Sequence, residues 1–145
     1  PYMKSTEFPF VVNLEVIFRD VDSMGHVNNA VYFTYIETAR IKYFREIRLH
    51  AALTEIDMIV AQATCNYKFP AFLGEILDVG VAVTRFGNKS FDFTYHINTT
   101  DGGLIATAKT VQVTYDYQAD RPMKLPTELI DAVLKFQGGL DFPGM

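Results

Sequence analysis

Apolar residues recur at every second position from 8 to 18, where Phe8, Phe10, Val12, Leu14, Val16 and Phe18 share one face of an expected strand. A polar run follows, Arg19-Asp20-Val21-Asp22-Ser23-Met24-Gly25-His26-Val27-Asn28-Asn29, and its two asparagines stand where helix caps are favoured. Over 30–47 the period changes to 3.6: Tyr32, Ile36, Ala39, Tyr43 and Ile47 form a stripe, widened by Phe33, Tyr35 and Phe44. An arc this wide predicts a helix of about 25 Å packed deeply against a sheet, with Glu37 and Arg40 spaced to pair at its border. Period two then returns four times. Ala61, Ala63, Cys65, Tyr67 and Phe69 run up to Pro70, and Leu77, Val79, Val81 and Val83 run to Gly87-Asn88. Phe91, Phe93, Tyr95 and Ile97 lead into a hairpin turn at Asp101-Gly102-Gly103. A long strand over 104–117 carries Val111, Val113, Tyr115 and Tyr117 on one face, with Lys109 on the side opposite Ala106 and Ala108. Pro122 and Pro126 bracket a linker, and 127–136 reads as a short amphipathic helix packing through Leu129, Ile130, Val133 and Leu134.

Four tandem strands with short turns imply antiparallel pairing rather than a doubly wound parallel sheet. The expected class is α+β: a five-stranded antiparallel sheet wrapped around one long helix, with a short C-terminal helix, in a single domain over 1–145. Its outer face carries Thr, Asn, Asp and Ala. Its edge strands need cover, which a second copy of the chain supplies most simply.

Composition narrows the function classes. Apolar residues make up 49% and charged residues 21% of 145, as in a folded domain able to hold together without disulfides or metals. Thirteen basic against 17 acidic residues give a formal charge of -4, which argues against nucleic acid or an anionic membrane as partner. One cysteine, Cys65, excludes an internal disulfide and fits a reducing, cytoplasmic setting. No apolar run reaches transmembrane length, and the opening PYMKSTEFPF has no basic-then-apolar leader pattern.

His26, His50 and His96 are scattered, and no CxxC, HExxH, phosphate-loop or GxSxG pattern occurs, so no metal site is expected. Cys65 reads as a small core residue of an alternating strand. The segment before the long helix differs from the rest, crowding Asp20, Asp22, His26, Asn28 and Asn29 into ten residues. The unpaired amides and dipole of a helix N-terminus stabilise a developing negative charge. A carboxylate beside them acts as base or nucleophile towards a carbonyl, or else simply caps the helix. Asp20 and Asp22 fall on opposite sides if the first strand continues through them, one catalytic and the other structural.

That run, followed by Tyr32, Tyr35, Glu37 and Ala39-Arg40, resembles the acyl-CoA thioesterases of the hotdog fold, in the branch of the 4-hydroxybenzoyl-CoA thioesterases. Tyr67-Lys68-Phe69-Pro70-Ala71-Phe72-Leu73-Gly74-Glu75, Arg121-Pro122 and Leu125-Pro126 extend the resemblance over nearly the whole chain. It implies hydrolysis of an acyl-CoA or acyl-carrier-protein thioester to free acid and thiol. No cofactor is implied beyond the coenzyme A of the substrate. The catalytic carboxylate falls on Asp22 and the backbone oxyanion donor on Asn29. His26 either orients a group near Asp22 or bonds within the loop. Glu37 matches a recurrent helix glutamate; another branch of the superfamily uses a helix carboxylate for catalysis, but with Asp22 filling that role here Glu37 is expected to be structural. Gly25, Asn28 and Tyr35 would border the thioester, and Arg85 and Lys89 would meet the nucleotide end of coenzyme A. Family members form dimers or tetramers with active sites at the subunit interface. The alternative class is a non-catalytic acyl-CoA-binding or scaffold protein on the same fold.

Overall fold

A computed structural model describes residues 5–51 and 53–142. The strands are β1 (Phe10–Glu15), β2 (Met58–Tyr67), β3 (Ile76–Phe86), β4 (Ser90–Thr99), β5 (Leu104–Asp116) and the two-residue β6 (Arg121–Pro122). The helices are α1 (Val31–Ala51) and α2 (Thr127–Gln137). The sheet order is β1-β3-β4-β5-β2, antiparallel throughout, with β6 added to the end of β5. This is the expected hotdog architecture, a five-stranded sheet wrapped around α1.

The stripe predicted for α1 is its buried face, Tyr32, Tyr35, Ile36, Ala39, Tyr43, Phe44 and Ile47, except that Phe33, expected to widen it, is exposed. The helix runs one turn beyond the expected end, where Arg48 and His50 complement the C-terminal dipole and His50 pairs with Glu46 at 2.7 Å. Tyr43 anchors the layer, edge-on to Phe93 at 5.1 Å and to Phe136 of α2 at 5.4 Å. Arg40 does not pair with Glu37. It turns inward and donates to the Tyr95 hydroxyl at 3.2 Å, and Tyr95 meets the Thr110 hydroxyl at 2.8 Å. The Gln112 carboxamide accepts from Thr110 and donates to the Phe91 carbonyl at 3.3 Å, so the buried polar chain is satisfied along its length.

That chain lies on the inward face of β5 with Ala106 and Ala108, so the alanines expected on the outer face of the sheet are in the core. Thr110, Gln112 and Thr114 are the strand's further buried inward positions, and the Val111, Val113 face points to the outside of the sheet. The register decides this: Val111 pairs with Asp92 and Lys109 with Thr94, both on the outer side of β4.

The first strand is shorter than its periodicity. It spans only Phe10–Glu15, and Phe18 lies in a single 3-10 turn, 82% exposed. Phe8, expected on the inner face, crosses to the outer one and packs on Ala82 with its ring 5.0 Å from that of His96. Gly80 permits the crossing, since a Cβ there would lie 2.7 Å from Phe8 Cγ and from the Ser5 carbonyl oxygen. The Ser5–Glu7 turn thereby covers part of the outer face, and Ser5 N–H donates to Asn98 Oδ1 at 3.2 Å. At the other edge, β2 is exposed along nearly its whole length, including Ile59, Val60 and Tyr67. Cys65, expected in the core, is only half-buried on this edge strand, packed against the core's margin.

Candidate functional site

The segment between β1 and α1 is built from two successive aspartate turns. Asp20 closes the first, its Oδ2 accepting Ile17 N–H at 3.2 Å and the Tyr35 hydroxyl at 2.9 Å. Burial, followed by the hydrogen bond to this carboxylate, pushes the Tyr35 phenol far above its ordinary range and keeps it a donor. Asp22 organises the second turn: Oδ1 accepts Met24 N–H at 2.9 Å and His26 N–H at 3.2 Å, while Asp22 N–H donates to the His26 carbonyl at 2.8 Å. Gly25 makes the reversal with φ +80°, in the left-handed region where a Cβ is strained. β1 ends at Glu15, before either residue, so the separation of Asp20 from Asp22 comes from these two turns rather than from strand alternation.

The loop is stitched to the segment after β2. Val27 N–H donates to the Ala71 carbonyl at 2.9 Å, and His26 bridges to Phe72 with the rings edge-to-face at 4.9 Å. Asn28 N–H donates to the Asp20 carbonyl at 2.9 Å. Asn28 then caps α1: its Oδ1 accepts Ala30 N–H at 3.0 Å and its carbonyl accepts Val31 N–H at 2.9 Å. Among the described residues the Asn29 N–H has no acceptor, and it stands at the positive end of the α1 dipole.

Asp22, His26, Val27 and Asn29 of this loop, Tyr32 of α1, and Tyr67, Lys68, Phe69 and Pro70 line one cleft of about 430 Å³. All three residues expected to be catalytic thus meet in one place. Burial raises the Tyr32 phenol, and its ring lies 5.4 Å from that of Tyr67. The Tyr67 hydroxyl donates to the Asn29 carbonyl at 2.9 Å, a link between β2 and the helix start that alternation along β2 does not reveal. Gly25 and Asn28 shape the cleft's loop without lining it, and Tyr35 serves Asp20 from behind.

Arg85 and Lys89 are not brought to this cleft within one chain. Tyr67 pairs through Ala106 to Ile97, whereas Arg85 pairs with Asp92, five residues or about 17 Å further along β4. There Arg85 grips Asp92 with two bonds of 2.9 Å, and Lys109 approaches the same carboxylate at 3.3 Å. Burial works to raise the Asp92 carboxyl, but the two cations prevail and hold it below the usual range. With both oxygens so occupied, Asp92 is an anchor of the hairpin and has no free edge for chemistry.

Among the described residues no group of three or more His, Cys, Asp or Glu is placed to hold a metal ion, and no helix is long and apolar enough to cross a membrane.

Residues 16–133 match the family model of the thioesterase-like superfamily. Among similar proteins, the acyl-CoA thioester hydrolase YbgC of Escherichia coli is 28% identical over 131 residues, covering 88% of this chain and 96% of that one. An uncharacterised protein of Bacillus subtilis, YsmA, is 26% identical over 89% of this chain and 88% of its own. A thioesterase from Thermus thermophilus, solved in complex with coenzyme A and zinc, superposes with a TM-score of 0.80 at 31% identity, over 92% of this chain and 97% of that one.

Proposed function

The chain belongs to the thioesterase-like superfamily, and from that membership we propose that it hydrolyses acyl-CoA thioesters in the cleft at the start of α1. One observation carries the assignment to this cleft: Asp22 and Asn29, whose N–H has no acceptor among the described residues, line it together. The thioester carbonyl oxygen accepts the Asn29 N–H. As attack drives the carbonyl electrons onto oxygen, the new charge meets that donor and the α1 dipole. Asp22 Oδ1 is held by two backbone amides, which leaves Oδ2 to act. Oδ2 takes the proton of an attacking water, or adds to the carbonyl to give an anhydride that water then opens. In either route the C–S bond breaks, coenzyme A leaves as a thiolate that is protonated, and the acid is released. An acyl-carrier protein presents the same phosphopantetheine thioester and is a donor of the same kind.

A second cleft of about 340 Å³ lies at the far end of β5, lined by Glu55, Asp57, Asp116 and Glu128 among others. Four carboxylates there repel the phosphates of coenzyme A, which favours the cleft at α1. The exposed β2 edge supports a homodimer, or a tetramer of two dimers, with the active site completed at the subunit interface. The lone Cys65 supports a cytoplasmic location and residues 1–145 read as one domain.

The test is a panel of acyl-CoA and acyl-carrier-protein thioesters with free-thiol detection, run on the wild type and on Asp22→Asn. The expected result is turnover by the wild type, reduced roughly 100-fold or more in the variant. A folded Asp22→Asn protein with wild-type turnover would remove Asp22 from the mechanism. A wild type that binds thioesters without releasing thiol would establish the non-catalytic acyl-CoA-binding alternative.

A further inference from the structure

We propose that Tyr67 is a positioning residue for hydrolysis, holding the Asn29 N–H in line with the substrate carbonyl through its hydroxyl on the Asn29 carbonyl. This rests on Asn29 as the oxyanion donor. That N–H lies in the plane of the peptide between Asn28 and Asn29, and where it points relative to the sheet also depends on how the next peptide, across the Asn29 Cα, is held. The first, between Asn28 and Asn29, is gripped at its carbonyl by Val31 N–H at 2.9 Å. The second, between Asn29 and Ala30, is gripped at its N–H by Asn28 Oδ1 at 3.0 Å and at its carbonyl by Tyr67 at 2.9 Å.

Of these grips only Tyr67 comes from outside the loop and helix. It is the last residue of β2, with its ring against Tyr32 and its side of the cleft open to solvent. The remaining bonds are local and move with the helix start as a unit. The Tyr67 hydroxyl ties that unit to the sheet that forms the opposite wall. A donor aimed at a developing oxyanion loses much of its effect when displaced by a fraction of an ångström to an ångström. The residue is 46% exposed, so its hydroxyl contributes little to packing.

Tyr67→Phe keeps the ring and deletes the hydroxyl, and Tyr115→Phe, which removes an exposed hydroxyl bonded to Asp120, is the control. The expected result for Tyr67→Phe is a kcat lower by about 10-fold or more with KM little changed. Its melting temperature should match that of the control. The amide nitrogen resonance of Ala30, whose peptide carbonyl loses its donor, should move. A wild-type kcat overturns the proposal. So does a raised KM at constant kcat, which would make Tyr67 a substrate contact, or a kcat loss accompanied by a melting temperature well below the control. Failure of the underlying reading looks different: Asn29→Pro would then keep wild-type turnover, whatever Tyr67→Phe does.

Discussion

Gln137, the last residue of α2, hydrogen bonds both backbone groups of Val83: its Oε1 accepts Val83 N–H at 2.7 Å and its Nε2 donates to the Val83 carbonyl at 2.9 Å. β1 stops at Phe10, opposite Val81, so the peptide groups of Val83 lie just past the end of their neighbouring strand. A side-chain amide continues the ladder there. The same Oε1 accepts the buried Tyr43 hydroxyl at 2.6 Å, tying α1, α2 and β3 at one atom.

Gln137→Ala is accordingly expected to lower the unfolding free energy by about 2 kcal/mol, since it strands a strand amide and a buried phenol together. Urea denaturation measures this. A loss below about 0.5 kcal/mol, the range of ordinary surface substitutions, would mean that water replaces the amide without cost.

Asn29 should tolerate loss of its side chain but not of its N–H. Asn29→Ala is expected to keep a large fraction of turnover, and Asn29→Pro to lose roughly 100-fold or more. Circular dichroism must first show that α1 survives the proline. Equal losses in two folded variants would transfer the role to the side chain.

The Asp20–Tyr35 bond is structural. Asp20→Asn should leave turnover close to wild type, where Asp22→Asn does not. A double-mutant cycle with Asp20→Ala and Tyr35→Phe should give a coupling of about 1 kcal/mol in stability. Additive losses would show that the two residues act independently.

Asp92 makes stability depend on acid. Its folded carboxyl titrates below the unfolded one, so its contribution is fully present above the unfolded value of about 3.9 and is lost as pH falls through the folded value. The stability difference between wild type and Asp92→Asn should be constant from pH 7 to about pH 5 and shrink below about pH 4. A difference that grows on acidification would reverse the sign of the shift. Turnover at neutral pH should survive Asp92→Asn, since the carboxylate faces Arg85 rather than the cleft.

The exposed β2 edge should be paired in solution. Light scattering should return at least twice the 16.4 kDa of one chain, and a stable folded monomer at working concentration would contradict the assembly.

The candidate site was unusually legible in the chain because it is local. Asp22, Gly25, His26, Asn28 and Asn29 lie within eight residues, and their mutual bonds are turns and a cap that depend on nearest neighbours. Tyr67 bonds across 38 positions, and the chain marks it only as an alternating strand position and a member of the resembling segment, neither of which reveals its bond to Asn29. Arg85 shows the same limit: its ion pair with Asp92 across the hairpin depends on strand register and is invisible in the chain.

Periodicity is a property of neighbouring residues, so the sequence alone was enough to place the five long strands and the two helices, their order, and most of the face α1 buries. Which side of a strand lies inward, and where a strand stops, depends on partners distant in the chain. The Val111 face of β5 is apolar, yet pairing with Asp92 and Thr94 of β4 turns it outward, and the inward Gln112 is accommodated because Thr110 and the Phe91 carbonyl meet its hydrogen bonds. Phe8 continues the alternation of β1 in sequence but leaves it in space, because Gly80, some seventy residues on, opens a seat for its ring on the other face of the sheet.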